Sequence, residues 1–188
     1  MAGQYLDVRE AGERSPSVDR SLRIARYKSG KYTIERPLHL GASLAITDEA
    51  ERKDLTNILS AYGLPLGEAF QLRDDMLGIF GDPSVTGKPA GDDIREGKRT
   101  VLMAMTLERA DQASAAKITA ALGREDLTAD QIEEIRALIT ATGAVKVVED
   151  LIEGLLSNAL TAANSDEIDP SARELLVELA TSATRRSH

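Results

Sequence analysis

Apolar residues return at every third or fourth position along almost the whole chain, as in Leu55, Ile58, Leu59 and Tyr62. Almost nothing alternates with the period of two that a half-buried strand requires. Such a chain buries its apolar stripes by packing helix on helix. Composition agrees: good helix formers dominate, aromatic residues are only 3%, and Trp is absent. The 188 residues are enough for one domain with a core of its own. The expectation is a single all-α domain over 1–188, with about seven or eight helices.

Breaks in the pattern place those helices. Tyr5, Leu6 and Val8 mark a short amphipathic piece that ends before the Ser15-Pro16 pair. Ser17 stands where it can cap a helix carrying Leu22, Ile24 and Ala25 as far as Gly30, and Pro37 interrupts the next segment. Asp48 with Glu51 opens a helix through Tyr62; Gly63 and Pro65 are expected to end it, with a new helix over 66–80. After residue 100 the period resumes in about four segments, with breaks near Gly123, Gly143 and 165–170. Thr128 with Gln131 is a capping box, and Asp169-Pro170 is a cap followed by Pro at the first helical position.

Charge and residue usage exclude several classes. With a net charge of −8, the chain repels nucleic acid and anionic lipid overall, so any phosphate chemistry must rest on local cations. The absence of Cys excludes disulfides and thiolate metal sites and fits a reducing compartment. No apolar run reaches the ~20 residues of a membrane span, and residues 1–8 lack a basic-then-apolar leader. A soluble, cytoplasmic protein is expected.

The informative helix is 70–79. Gln71, Asp74, Asp75 and Gly78 fall at i, i+3, i+4 and i+7 and so share one face. Adjacent carboxylates repel, and no basic residue three or four positions away offsets either one. The pair must face water, meet a cation from another element, or hold a divalent ion; an oxygen-only set of this kind suits Mg²⁺ completed by substrate phosphates. The next segment, 81–100, shows no clear helical or strand pattern. It carries Gly87-Lys88, Gly91, and Gly97-Lys98-Arg99. Glycines let backbone approach an anion and lysines act as point charges for phosphate, although an ordinary charged loop has the same composition. An acidic pair followed directly by a basic glycine loop suits a metal–diphosphate site better than either does alone.

These residues also carry a resemblance. Phe70-Gln71-x-x-Asp74-Asp75, Phe80-Gly81-Asp82, Gly87-Lys88, Gly91-x-Asp93 and Gly97-Lys98 closely resemble the second aspartate-rich region of the trans-type isoprenyl diphosphate synthases. Upstream, Gly3-Gln4-x-x-Asp7 looks like that family's Gly-Gln-x-x-Asp helix, and Tyr27-Lys28-Ser29 like its Lys-Thr helix with Ser for Thr. The motifs run from Gly3 to Thr100, about half the chain; the remainder fits in helical pattern.

The resemblance implies a helical isoprenoid-synthase bundle that condenses isopentenyl diphosphate with an allylic diphosphate. Asp74 and Asp75 would bind Mg²⁺ bridging to the allylic diphosphate. Lys28 and Lys88 would contact the same group, and Lys98 would close the site from the loop. Gln71, Ser29 and Gln4 would line the reacting centre, with Asp7 positioning a neighbouring cation. It further implies a homodimer or higher homo-oligomer. Two departures qualify it. Gly78 stands where the family's Asp-Asp-x-x-Asp has its last carboxylate, and Asp82 is expected to compensate in part. Family members are also about twice as long as this chain and carry a first aspartate-rich motif. The chain is therefore expected to be the C-terminal portion of such a synthase, inactive alone. The alternative is a non-catalytic helical subunit that modulates a catalytic homologue.

Overall fold

A computed structural model describes Gly3, Tyr5, residues 17–87, Pro89 and residues 91–185; among these there is no strand, so the all-α expectation holds. Helix α1 (Val18–Ala25) runs straight into a π-helical segment, Arg26–Glu35, and on into α2 (Arg36–Ala45). Pro37 does not interrupt this path as its missing N–H suggested. It sits in the first turn of α2, where a fixed φ suits a helix start. The wider turn before it, closed by Arg36 N–H donating to Lys31 O, absorbs the change of register.

The next helix, α3 (Glu49–Phe80), is one unbroken rod of 32 residues with Pro65 inside it. The expected break at Gly63 and Pro65 is therefore corrected. An interior proline costs roughly 3 kcal/mol. Tyr62, Leu66, Leu72, Met76 and Ile79 on this helix are all buried to 1% exposure or less. Each contributes about 1.5–3 kcal/mol on burial, so packing on both sides of Pro65 outweighs the lost bond.

Segment 81–100 was expected to lack helix but contains two single turns, α4 (Pro83–Thr86) and α5 (Asp92–Arg95). Beyond it come α6 (Val101–Arg109), α7 (Gln112–Ala121), α8 (Ala129–Ala141), α9 (Ala144–Ala163) and α10 (Pro170–Thr184). The breaks at Gly123, Gly143 and before Pro170 fall where expected. The Thr128–Gln131 box is closed in both directions, and the Asp169 carboxylate accepts from Ser171 N–H. A further break, at Ala110, was not foreseen; Asp111 caps α7 there by accepting from the N–H groups of Ala113 and Ser114.

The chain forms two compact units. One is built from Gly3, Tyr5, Arg23–Gln71 and residues 151–185, the other chiefly from Leu72–Asp150. In the first, Tyr62 and Leu66 pack with Leu156, Ala159, Ala163 and Ala180. The Tyr62 hydroxyl donates to Leu176 O at 2.8 Å, so the large side chain is buried without an orphaned polar atom. In the second, Met76, Ile79, Ile94, Leu102, Met103, Ile118, Ile132 and Ile139 are buried to 1% or less. His39 is satisfied locally, its Nε2 lying 2.9 Å from Ser60 Oγ and 3.1 Å from Thr56 O. No helix among the described residues is long and apolar enough to cross a membrane.

Candidate functional site

In the first unit the π-helical segment carries Lys28 and Ser29, and α3 carries Gln71. Ser29 Oγ donates to Gln71 Oε1 at 2.6 Å in a buried bond. Glycines make the approach possible: a Cβ on Gly67 would stand 2.6 Å from Gly30 N and closer still to its Cα. Gly3 lies in the same way against the backbone of Tyr27 and Lys28. Lys28 is half-buried. Nearby, Arg26 pairs with Glu68 at 3.3 Å; burial raises the Glu68 carboxyl above its usual range, and Arg26 only partly opposes this.

In the second unit the acidic pair meets its cation. Asp75 is buried at 6% exposure, and Lys98 Nζ lies 3.0 Å from its Oδ1 and 3.1 Å from Asp93 Oδ2. Of the three fates open to the pair, Asp75 has met a cation from another element. Asp74 is half-exposed beside it. Burial alone would lower the Lys98 ammonium, but Asp75 and Asp93 outweigh that and raise it, so it stays protonated. Asp93, itself 3% exposed, is pushed up to about 6, chiefly by burial and against the pull of Lys98.

Local backbone explains why Lys98 arrives there. Gly91 and Gly97 bracket α5 at φ +69° and +68°, a region that side-chain-bearing residues rarely enter. The turn they permit lets Lys98 N–H donate to Asp93 O at 2.9 Å, while Gly123 N–H donates to Ile94 O at 3.0 Å. Ile94 is fully buried, and Thr100 then caps α6 by accepting from Met103 N–H. This half of the expected loop is therefore a held structure. Asp82, expected to replace the missing carboxylate, caps α4: it accepts from the Ser84 hydroxyl and N–H, which hold its carboxyl below the usual range.

The structure thus brings Ser29 to Gln71 and Lys98 to Asp75, and α3 carries Gln71, Asp74 and Asp75 within one turn and a half. Gln4, Asp7 and Lys88 lie outside the described residues. Two neighbours carry no clear signal in sequence: Asp93 stands there only as part of a glycine motif, and Arg73 is tied by paired 2.7 Å bonds to Glu149.

The donor chemistry fits a hard divalent cation in one respect. Asp74 and Asp75 present adjacent carboxylates, and Asp75 already faces a positive charge. Among the described residues no group of three or more His, Cys, Asp or Glu is arranged to hold a metal. The pair therefore suits an ion whose remaining ligands are water and phosphate oxygen, the habit of Mg²⁺.

Comparison with known proteins shows the family. The sequence model of the polyprenyl synthetase family matches residues 1–139. The chain belongs to the polyprenyl synthetase family. Its relatives are isoprenyl diphosphate synthases, which are prenyltransferases, and it shares their all-α fold. A geranylgeranyl diphosphate synthase of Mycobacterium tuberculosis is 32% identical over 85% of this chain and 44% of its own length. The crystal structure of geranylgeranyl pyrophosphate synthase from Corynebacterium glutamicum, complexed with isoprenyl diphosphate and magnesium, is 43% identical. The match has a TM-score of 0.90 and covers 99% of this chain and 52% of that one. A polyprenyl synthase from Caulobacter crescentus, complexed with calcium and isoprenyl diphosphate, is 30% identical, with a TM-score of 0.82 over 99% of this chain and 55% of that one. The structural likeness thus extends past the motif-bearing residues through α10. The chain spans about half the length of the relatives it matches.

Proposed function

We propose that this chain binds the diphosphate of an allylic isoprenyl substrate through a Mg²⁺ ion held at Asp74 and Asp75, as part of a prenyltransferase that condenses it with isopentenyl diphosphate. The observation that carries this is the Asp75–Lys98 pair, a buried carboxylate already opposed by a cation beside a second, more open carboxylate. The bound metals of the Corynebacterium and Caulobacter synthases support it.

Each side chain then has a defined task. Asp74 and Asp75 would hold the metal, which supplies charge neutralisation for the leaving diphosphate. Lys98 is fixed beside Asp75 as a protonated donor, and the family resemblance assigns Lys28 and Lys88 to the same anion. Gln71, oriented by Ser29, presents a neutral polar group at the reacting end of α3. The same resemblance assigns Gln4 and Asp7 to the lining. An allylic cation also needs a water-poor surround, which packed helices provide. Because the chain spans about half its relatives' length, condensation is assigned to the assembly in which it acts, as a homodimer or higher homo-oligomer. Allylic-diphosphate binding is assigned to the chain itself.

Calorimetric titration with inorganic diphosphate, with and without Mg²⁺, tests this. Wild type should release heat that depends on both, and Asp74→Ala should lose the Mg²⁺-dependent part. Equal heats for the two proteins would reject the metal assignment.

A further inference from the structure

Position 78 is glycine, and the space its side chain would fill is taken. A Cβ on Gly78 would stand 2.6 Å from Asp93 Oδ1 and closer still to Cγ and Oδ2 of the same carboxylate. Any side chain at 78 therefore competes with Asp93 for one volume. The carboxylate cannot easily withdraw. It is 3% exposed, carried on α5, and bonded to Lys98 Nζ, while its backbone oxygen accepts from Lys98 N–H at 2.9 Å. Lys98 in turn spans Asp93 and Asp75.

We propose that Asp93 is a positioning residue for diphosphate binding: it enters the gap left by Gly78 and holds the Lys98 ammonium against Asp75. A carboxylate thus stands at the fifth position of the acidic motif, delivered from α5 and not from α3. Asp93 acts through Lys98 and is not assigned as a metal ligand, since among the described residues no three acidic groups are arranged to hold a metal. The inference rests on the reading of Lys98 as a diphosphate-binding cation. It adds a dependence that reading does not contain: Gly78 and Asp93 are matched, so changing one alone harms the site and exchanging both repairs it.

The experiment measures the affinity of the 188-residue chain for inorganic diphosphate in Mg²⁺ by calorimetry, with thermal unfolding of each variant recorded in the same buffer. Asp93→Asn keeps shape and removes charge; it and Asp93→Ala should each weaken binding about tenfold or more, as loss of an orienting partner does. Gly78→Asp combined with Asp93→Ala returns a carboxylate to the same volume from α3, and should regain affinity to within about threefold of wild type. A purely structural role for Asp93 would leave the Asn variant binding normally. Normal binding by Asp93→Asn, or an exchanged variant no better than Asp93→Ala, would overturn the inference while leaving the proposed function intact. A wild-type chain that binds no diphosphate with Mg²⁺ would reject the proposed function, and this inference with it.

Discussion

Ser29 Oγ and Gln71 Oε1 are joined by a buried 2.6 Å hydrogen bond across 42 residues of sequence. It ties the π-helical segment to α3 at the point where both carry residues assigned to the substrate. Ser29→Ala should lower unfolding free energy by about 1 kcal/mol, the usual net value of such a bond, read from the urea midpoint. An unchanged midpoint would mean that the bond orients Gln71 without stabilising the fold.

Two glycines on neighbouring helices should respond oppositely to alanine. At Gly67 the new methyl would strike the backbone of Gly30, which has no flexible end to move aside. Gly67→Ala should therefore destabilise by roughly 3 kcal/mol, at the upper end for overpacking. At Gly41, on exposed α2, a Cβ meets nothing within 4 Å. Gly41→Ala should stabilise by about 0.5–1 kcal/mol through helix propensity and a less flexible unfolded chain. Thermal unfolding of the pair checks both signs.

Tyr62 predicts a dependence on alkaline pH. Burial pushes its phenol up to about 12 from the ordinary 10.0. The folded state holds this proton more tightly than the unfolded one, so the contribution is complete below pH 10 and is lost as pH rises toward 12. The slope across that window should be about 1.4 kcal/mol per pH unit. Tyr62→Phe should remove the slope at a cost of about 1 kcal/mol at neutral pH, from the lost bond to Leu176 O. Urea unfolding between neutral and alkaline pH, run on both proteins, shows whether the curves converge.

Asp111 makes the opposite case. Its carboxylate accepts from the Ser114 hydroxyl and from two backbone N–H groups, and these bonds hold its pKa below 3.8. A depressed value means the cap stabilises above the ordinary carboxylate range and stops doing so as pH falls through it. Asp111→Ala should lower the melting temperature at neutral pH, and the gap from wild type should close in acid.

What could be read from residues alone follows from how local each signal is. The Thr128–Gln131 box and the Asp169-Pro170 start are decided within four residues, and both appear as expected. Asp111 carries an equally local signal, but the apolar period continues across Ala110 and masks it. Pro65 misled for the reverse reason, since its local penalty is overruled by burial of Leu66, Leu72 and Met76 along the same rod. Asp74 and Asp75 were legible because adjacent carboxylates with no helical counter-ion need a partner from elsewhere. That Asp75 would find Lys98, and that Asp93 rather than Asp82 would stand at position 78, depends on the turn bracketed by Gly91 and Gly97, which spacing does not determine.

The π-helical segment sets a rule about length. Each turn of it holds more residues than an α-turn, so removing a single residue from 26–35 would let the segment relax into ordinary α-helix with little loss of hydrogen bonding. Where the wide turns persist instead, everything before the deletion swings by one residue's share of a turn around the axis, on the order of 100°. In that case a deletion just after Ser29 would carry its hydroxyl away from Gln71 while leaving every side chain in place by type. Lys28 and Ser29 are thus specified by the number of residues separating them from α2 as much as by their chemistry, and this stretch should accept substitutions more readily than any change in its count.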